Sequence, residues 1–302
     1  MIEVEDLHKT YRIGFWQKQV PALRGAAFRV NAGDLFGFIG PNGAGKSTAI
    51  KILLGLLRAD SGKVLLMGKS AGNHRSRDQV GFLPEQPYFY DYLTGAEFLN
   101  FYGRLSRLSG AGLRRRIGET AEEVGIKPDW LGRKLRTYSK GMLQRLGLAQ
   151  ALLGNPQLVI LDEPMSGLDP LGRRDVRNLL KRLHAAGATV FYSSHVLGDV
   201  EAICTRLAMI VDGQVRREGT VTEVLSGEEE AYQVTLGREV AASDLPAGIY
   251  EAIDGRSVLC RKPEDKASFL QWALGRGLEV VSVGRIGHTL EDVLAEEVAR
   301  II

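Results

Sequence analysis

Gly40-Pro41-Asn42-Gly43-Ala44-Gly45-Lys46-Ser47-Thr48 fits G-x-x-x-x-G-K-[ST], the pattern of a phosphate-binding loop. An apolar run suited to a buried strand, Leu35–Ile39, precedes it, and Ala49–Leu57 can continue as a helix behind it. Small residues are needed here because backbone N–H groups must approach a polyphosphate closely, and side chains would obstruct them. Gly45 opens a helix whose N-terminal dipole favours the anion. Lys46 is placed as the point charge for the β- and γ-phosphates, and the Ser47 hydroxyl as a Mg²⁺ ligand. The bland alternative is a glycine-rich strand–helix turn that binds nothing, and the strand–loop–helix context argues against it. The stretch predicts a nucleoside triphosphate site.

The chain has 302 residues, enough for one large domain or two. Hydrophobic residues make up 44% and charged residues 25%, an ordinary soluble globular composition. With 39 basic and 36 acidic residues the net charge is +3, too balanced to argue for a nucleic-acid partner, and none is expected. Cys204 and Cys260 have no metal or redox spacing and read as free thiols in a reducing compartment. The start, Met1–Asp6, lacks a signal peptide's basic end and apolar core, and no long uncharged apolar run spans a bilayer. The expected location is cytoplasmic, with any membrane attachment supplied by a partner.

Around the loop the texture alternates between strands and helices, the pattern of an α/β fold. Strand candidates are Ile2–Leu7 reaching Tyr11, Ala22–Val30, Lys63–Gly68, Gln79–Leu83, Gln157–Asp162, Ala188–Tyr192, Leu207–Val211 and Gln214–Arg217. Lys69–Arg77 reads as a surface loop. From Glu85 to about Asn155 helices dominate, with an apolar stripe through Leu99, Tyr102, Gly103 and Leu105–Leu108, while Arg114-Arg115-Arg116 reads as a solvated face. Val176, Leu179, Leu180 and Leu183 repeat at helical spacing. The acidic stretch Ser226–Glu230 looks like a boundary. Beyond it, strands at Tyr232–Leu236, Val258–Arg261 and Glu279–Val283 accompany two helices. One begins near Pro263, and the other at Thr289, where Thr289 and Asp292 can form a capping box.

The second chemistry-bearing stretch is Leu158–Glu163, an apolar strand ending in two carboxylates. Asp162 can hold Mg²⁺ directly or through water, and Glu163 can polarise an attacking water. Just upstream, Tyr138-Ser139-Lys140-Gly141-Met142 stands where L-S-G-G-Q is usually written, and with it the chain resembles the ATP-binding subunit of ABC transporters. The resemblance covers about residues 1–225. It takes in Met165–Asp169 after the carboxylates, Ser193-Ser194-His195 at the end of the next strand, and Tyr11 at the place of an adenine-stacking aromatic.

The resemblance implies a P-loop NTPase core of the ABC ATPase type, residues 1–225, with a helical subdomain at about 86–155. A small α+β accessory module, residues 226–302, follows it. It implies ATP and Mg²⁺ as cofactors and catalysis by Lys46, Glu163 and His195. His195 also has a plain reading as a cap for the next helix. The nucleotide would contact Tyr11, the whole loop Gly40–Thr48, Glu85 or Gln86, Asp162 and Asp169. Ser139 and Gly141 would reach it from a second subunit in a head-to-tail dimer. Metal candidates are Ser47, Asp162 and Gln86.

Lys140 and Met142 depart from the family's signature. Glu85 stands directly after Pro84, where the family has a glutamine, and Gln86 lies one place later, so either can be the residue that senses the metal. The implied partners are membrane-spanning permease subunits and a second copy of the chain or a homologous ATP-binding subunit. The implied place is the inner face of the cell membrane, and the implied type is an exporter with separate membrane subunits. A soluble ABC-type ATPase acting on nucleic acid or ribosomes is the alternative, and a non-hydrolysing regulatory subunit is a third. Cargo and direction are not legible in this chain. Tyr88–Tyr92 reads as a surface for the membrane partner, and Phe98, Phe101 and Tyr102 as helical core.

Overall fold

The structure is a computed structural model, and it describes residues 1–14, 18–225, 231–241, 244–246, 250–252, 254–260, 262–286 and 289–301. The expected boundary at Ser226–Glu230 and the strand end at Arg261 lie outside the described residues. The chain divides into two compact units, Met1–Val221 and Thr222–Ala299.

In chain order the first unit opens with strands β1 (Ile2–Ile13), β2 (Lys18–Val30) and β3 (Leu35–Ile39), then helix α1 (Lys46–Leu53). Strands β4 (Ser61–Leu66), β5 (Lys69–Ser70) and β6 (Val80–Leu83) lead into helices α2 (Gly95–Leu105), α3 (Gly110–Glu123), α4 (Pro128–Leu131) and α5 (Lys140–Leu152). Next come β7 (Leu158–Asp162), α6 (Pro170–Ala185), β8 (Thr189–Ser194), α7 (Leu197–Ile203), β9 (Arg206–Val211) and β10 (Gln214–Thr220), and the short α8 (Val221–Leu225) follows where the second unit begins.

These strands make two sheets rather than one. The order β10-β9-β3-β8-β7-β6 is parallel from β9 to β6, with β10 antiparallel on its edge. The antiparallel sheet β2-β1-β4-β5 packs against it, and Lys69–Ser70, expected as loop, supplies its short last strand. All residues of β3 and β7 are buried, as befits parallel strands covered on both faces. Phe28 from β2 meets Phe38 at 4.9 Å between ring centroids, and Phe36 stacks on Phe191 at 5.8 Å, so aromatic rings fill the space between the sheets.

Helix ends follow local chemistry. Thr94 and Glu97 bond each other's backbone N–H to start α2, and Asp169 accepts from Gly172 N at 2.7 Å with Pro170 beside it to start α6. The helix after the phosphate loop stops at Leu53, short of the expected Leu57, because Gly55 turns the chain with φ +64°. Arg116 corrects the reading of a wholly solvated arginine run. Its guanidinium turns inward and donates to the Leu152 and Leu153 carbonyls, satisfying the end of α5. Leu105 and Phe101 are exposed rather than core, whereas Phe98 and Leu99 are buried.

The second unit holds β11 (Ala231–Leu236), β12 (Tyr250–Ala252), β13 (Ser257–Cys260), α9 (Pro263–Gly275), β14 (Val280–Ile286) and α10 (Leu290–Ala299). Its antiparallel sheet runs β12-β13-β11-β14. Val234, Leu236, Val258, Cys260, Phe269, Ala273 and Leu278 form a core of its own. Thr289 and Asp292 make reciprocal backbone bonds of 2.9 and 3.3 Å ahead of α10.

Phe191→Ala removes a fully buried ring from the aromatic layer. A loss of about 3–5 kcal/mol is expected, read as a lowered urea midpoint for the first unit. An unchanged midpoint would show that the layer relaxes without cost.

Candidate functional site

The phosphate loop leaves the carboxyl end of β3 and enters α1 through Gly45, whose φ is +106°. A Cβ on Gly45 would collide with the Ala22 carbonyl oxygen and the Leu23 side chain, so both the dihedral and the space demand glycine. Lys46 is 7% exposed, and its ammonium donates to the Gly40 carbonyl at 2.7 Å and the Pro41 carbonyl at 3.2 Å. Burial pushes the Lys46 pKa down, while the charges of Glu163, Asp162 and Glu85 push it up; burial is the larger effect.

Parallel pairing sets β8 beside β3 and β7 beside β8, so the three carboxyl ends open on one rim. Asp162 closes β7 at 4% exposure and Glu163 follows it, with one oxygen 4.0 Å from the Lys46 ammonium. Glu163 has φ +52°, an uncommon conformation for a side-chain-bearing residue that must be held by its surroundings. Ser193, fully buried at the end of β8, does part of that. Its hydroxyl donates to Asp162 Oδ1 at 2.6 Å and accepts from the Glu163 backbone N–H at 3.0 Å. His195 Nδ1 lies 2.9 Å from Glu163 Oε2, within hydrogen-bond distance. The cap position of α7 belongs to Val196, so His195 is not the helix cap of the plain reading.

These groups enclose a cleft of about 500 Å³ lined by Ala22, the loop residues from Asn42 to Thr48 apart from Ala44, and Glu85, Glu163, Ser166 and His195. Glu85 thus faces the cleft, and Gln86 is not among its lining residues. Asp162 sits just behind, on Ser193. Tyr11 reaches the loop's far end, its hydroxyl 3.3 Å from Thr48 Oγ1. Ser139 and Gly141 do not line this cleft. Ser139 caps α5 by accepting from Met142 N, and Asp169 is engaged as the α6 cap.

Among the described residues no group of three or more His, Cys, Asp or Glu side chains is arranged to hold a metal. Ser47, Asp162 and Glu85 are oxygen donors, which suits Mg²⁺ carried in on substrate phosphates better than a protein-only cage. Sequence reading passed over Ser193 as a ligand holder because its role depends on strand register, in which Asp162 pairs with Ser193. Gln144, whose amide donates to the Pro164 carbonyl at 2.6 Å, was missed for the same kind of reason.

Sheet, loop and acids together define a P-loop nucleoside triphosphatase. The family profile described as ABC transporter matches residues 23–166. An uncharacterised ABC transporter ATP-binding protein of Synechocystis sp. (strain ATCC 27184 / PCC 6803 / Kazusa) is 45% identical over 258 residues, 84% of this chain and 73% of that protein. YxlF of Bacillus subtilis (strain 168), of the same description, is 40% identical over 97% of this chain and 98% of its own length. Linearmycin resistance ATP-binding protein LnrL of the same organism is 34% identical over 78% of this chain and 75% of its own length. Among solved structures, a dimeric ATP-binding cassette in a post-hydrolysis state bound to ADP and Pi superposes with TM-score 0.68 at 26% identity, covering 73% of this chain and 99% of that one. The chain belongs to the ABC transporter ATP-binding proteins. It is an ATP-binding, ATP-hydrolysing subunit of a membrane transporter, and among the described residues no helix is long and apolar enough to cross a membrane.

Ser193→Ala leaves Asp162 and the Glu163 N–H without their shared partner, both buried. A stability loss of about 1–3 kcal/mol is expected, with ATPase activity falling alongside it. Full activity with an unshifted melting temperature would show that the hydroxyl positions neither acid.

Proposed function

We propose that this chain drives an export-type transporter whose membrane-spanning subunits are separate proteins, working as half of a head-to-tail pair with ATP between the two cassettes. The observation that carries this is the Lys46–Glu163–His195 cluster at the mouth of the phosphate loop, together with the placing of Ser139 and Gly141 outside their own cleft. Left exposed at the start of a 13-residue helix, Ser139 is free to meet a nucleotide held by a second subunit. The dimeric ADP- and Pi-bound cassette supports the pairing, and the resistance-linked relative supports export.

Glu163 takes a proton from water as its oxygen attacks the γ-phosphorus, and the bond to the β-phosphate oxygen breaks to leave ADP and phosphate. Lys46 binds the phosphate oxygens. His195, tied to Glu163 through Nδ1, orients the carboxylate and faces the γ-phosphate with its other ring edge. Ser47 and Asp162, with Glu85 nearby, would hold Mg²⁺, which would supply charge neutralisation at the phosphates. Tyr11 is the adenine-facing aromatic and Asp169 the start of the α6 side of the interface.

The membrane partner docks on the loop between β6 and α2, where Tyr88 is 77% and Tyr92 64% exposed. Phe89, by contrast, packs on Phe98 at 5.3 Å between centroids and belongs to the helical core. Exposed aromatics of this kind are the usual anchors of an interface. The second unit, which contains none of the cluster, is an accessory module that tunes dimerisation or coupling. The whole assembly lies at the cytoplasmic face of the cell membrane.

Glu163→Gln is expected to keep ATP binding, lose about 10²–10⁴ in turnover and accumulate as an ATP-bound dimer on size exclusion; normal hydrolysis in that variant would exclude Glu163 as the base. Tyr88→Ala with Tyr92→Ala should leave the isolated chain's ATPase rate intact and reduce co-purification with its permease. Undiminished co-purification and transport would place the coupling surface elsewhere.

A further inference from the structure

Glu163 owes its unusual backbone to more than Ser193. The next residue is Pro164, which brings no N–H of its own to the segment but keeps its carbonyl as an acceptor. That carbonyl accepts from the side-chain amide of Gln144 at 2.6 Å, and Gln144 is itself buried. The residues beyond form a turn, with Ser166 N donating to the Glu163 carbonyl at 3.1 Å and Leu168 N to the Met165 carbonyl at 3.3 Å. This turn rests on the same face of α5. The end of the Lys140 side chain lies over Gly167, where a Cβ would fall on it, and Gly141 faces the Leu168 side chain at 3.8 Å from a notional Cβ. Lys140, Gly141 and Gln144 are one helical turn's neighbours, so a single stripe of α5 carries the segment from Pro164 to Leu168.

We propose that Gln144 is a positioning residue for the ATPase reaction: its amide clamps the Pro164 carbonyl and thereby fixes the direction in which the Glu163 carboxylate points. The inference rests on the reading of Glu163 as the base. Ser193 holds the Glu163 N–H, Ser166 N–H its carbonyl and His195 its carboxylate, while Gln144 holds the carbonyl of the residue after it, Pro164. Ser193 and Gln144 come from different elements, β8 and α5. A backbone at φ +52° persists only where its surroundings over-determine it, so losing one of these contacts loosens the hold on the carboxylate.

The test compares wild type, Gln144→Met, which keeps length and loses the donor, and Gln144→Glu, which keeps polarity but only accepts when ionised. Each is made in the full-length chain and alone or combined with Glu163→Gln. Steady-state ATPase is measured with Mg²⁺-ATP, nucleotide affinity with a fluorescent ATP analogue, and folding by thermal melting. The expected result is a kcat about 10²-fold lower in both Gln144 variants, the scale of a small misplacement of a reacting group, with KM and nucleotide affinity unchanged. In the Glu163→Gln background neither substitution should lower the residual rate further, because the group being aimed is gone. Wild-type kcat in folded Gln144 variants, beside an inactive Glu163→Gln, would overturn the clamp and leave the function standing. So would a loss that adds in full to that of Glu163→Gln. Normal turnover by Glu163→Gln alone would instead overturn the reading of the base itself.

Discussion

A buried ammonium cannot be left to itself, and Lys46 is the constraint on which this molecule is arranged. Burial disfavours its charge, so the fold surrounds it with carbonyls from Gly40 and Pro41 and with the charges of Glu163, Asp162 and Glu85. These three acids come from two places far apart in sequence, the end of β7 and the segment after β6. The arrangement is stable as a cluster, and it leaves several anionic groups gathered about one cation. Phosphates of a bound nucleotide are met there by the Lys46 ammonium and the loop N–H groups, and the surplus of acids is what a divalent cation would offset.

Parallel sheet geometry makes that gathering possible. In an open α/β sheet all the carboxyl ends of the parallel strands face one way, so the phosphate loop, Asp162 and His195 arrive at one rim although about 150 residues separate the first from the last. Strand β3 lies between β9 and β8, and β8 beside β7, an order that no reading along the chain supplies. The antiparallel sheet contributes from the other side. Ala22 and Leu23 of β2 press on Gly45, and Tyr11 of β1 meets Thr48, so the loop's shape is set by both layers.

The helical subdomain meets this chemistry through α5, whose Gln144 bonds the Pro164 carbonyl. Its N-terminus is exposed, its middle is buried, and Arg116 satisfies its final carbonyls. Arg145 extends the link by bonding the Val124 carbonyl and Asp175 of α6, both at 2.8 Å. The subdomain is thus joined to α6 and to the segment after β7 by hydrogen bonds with definite directions. The second unit, with its own core around Phe269, shares none of these ties within its described residues and is organised as a separate small fold.

The sequence by itself determined the loop, its strand and helix, the acid pair at the end of β7, the helical stretch from about residue 86, and the nucleotide chemistry, because each rests on a local pattern of spacing and polarity. It also carried the family, through the order of motifs each weak alone. Tertiary structure alone decided that β1, β2 and β4 form a separate antiparallel sheet, because an alternating strand does not name its partner. It decided that Glu85 faces the cleft while its neighbour Gln86 does not, that Arg116 turns inward, and that His195 meets Glu163. Ser193 and Gln144 belong to the same class. A serine at a strand end and a glutamine in a helix have no local signature, and their roles exist only where register places the first beside Asp162 and helix packing places the second beside Pro164.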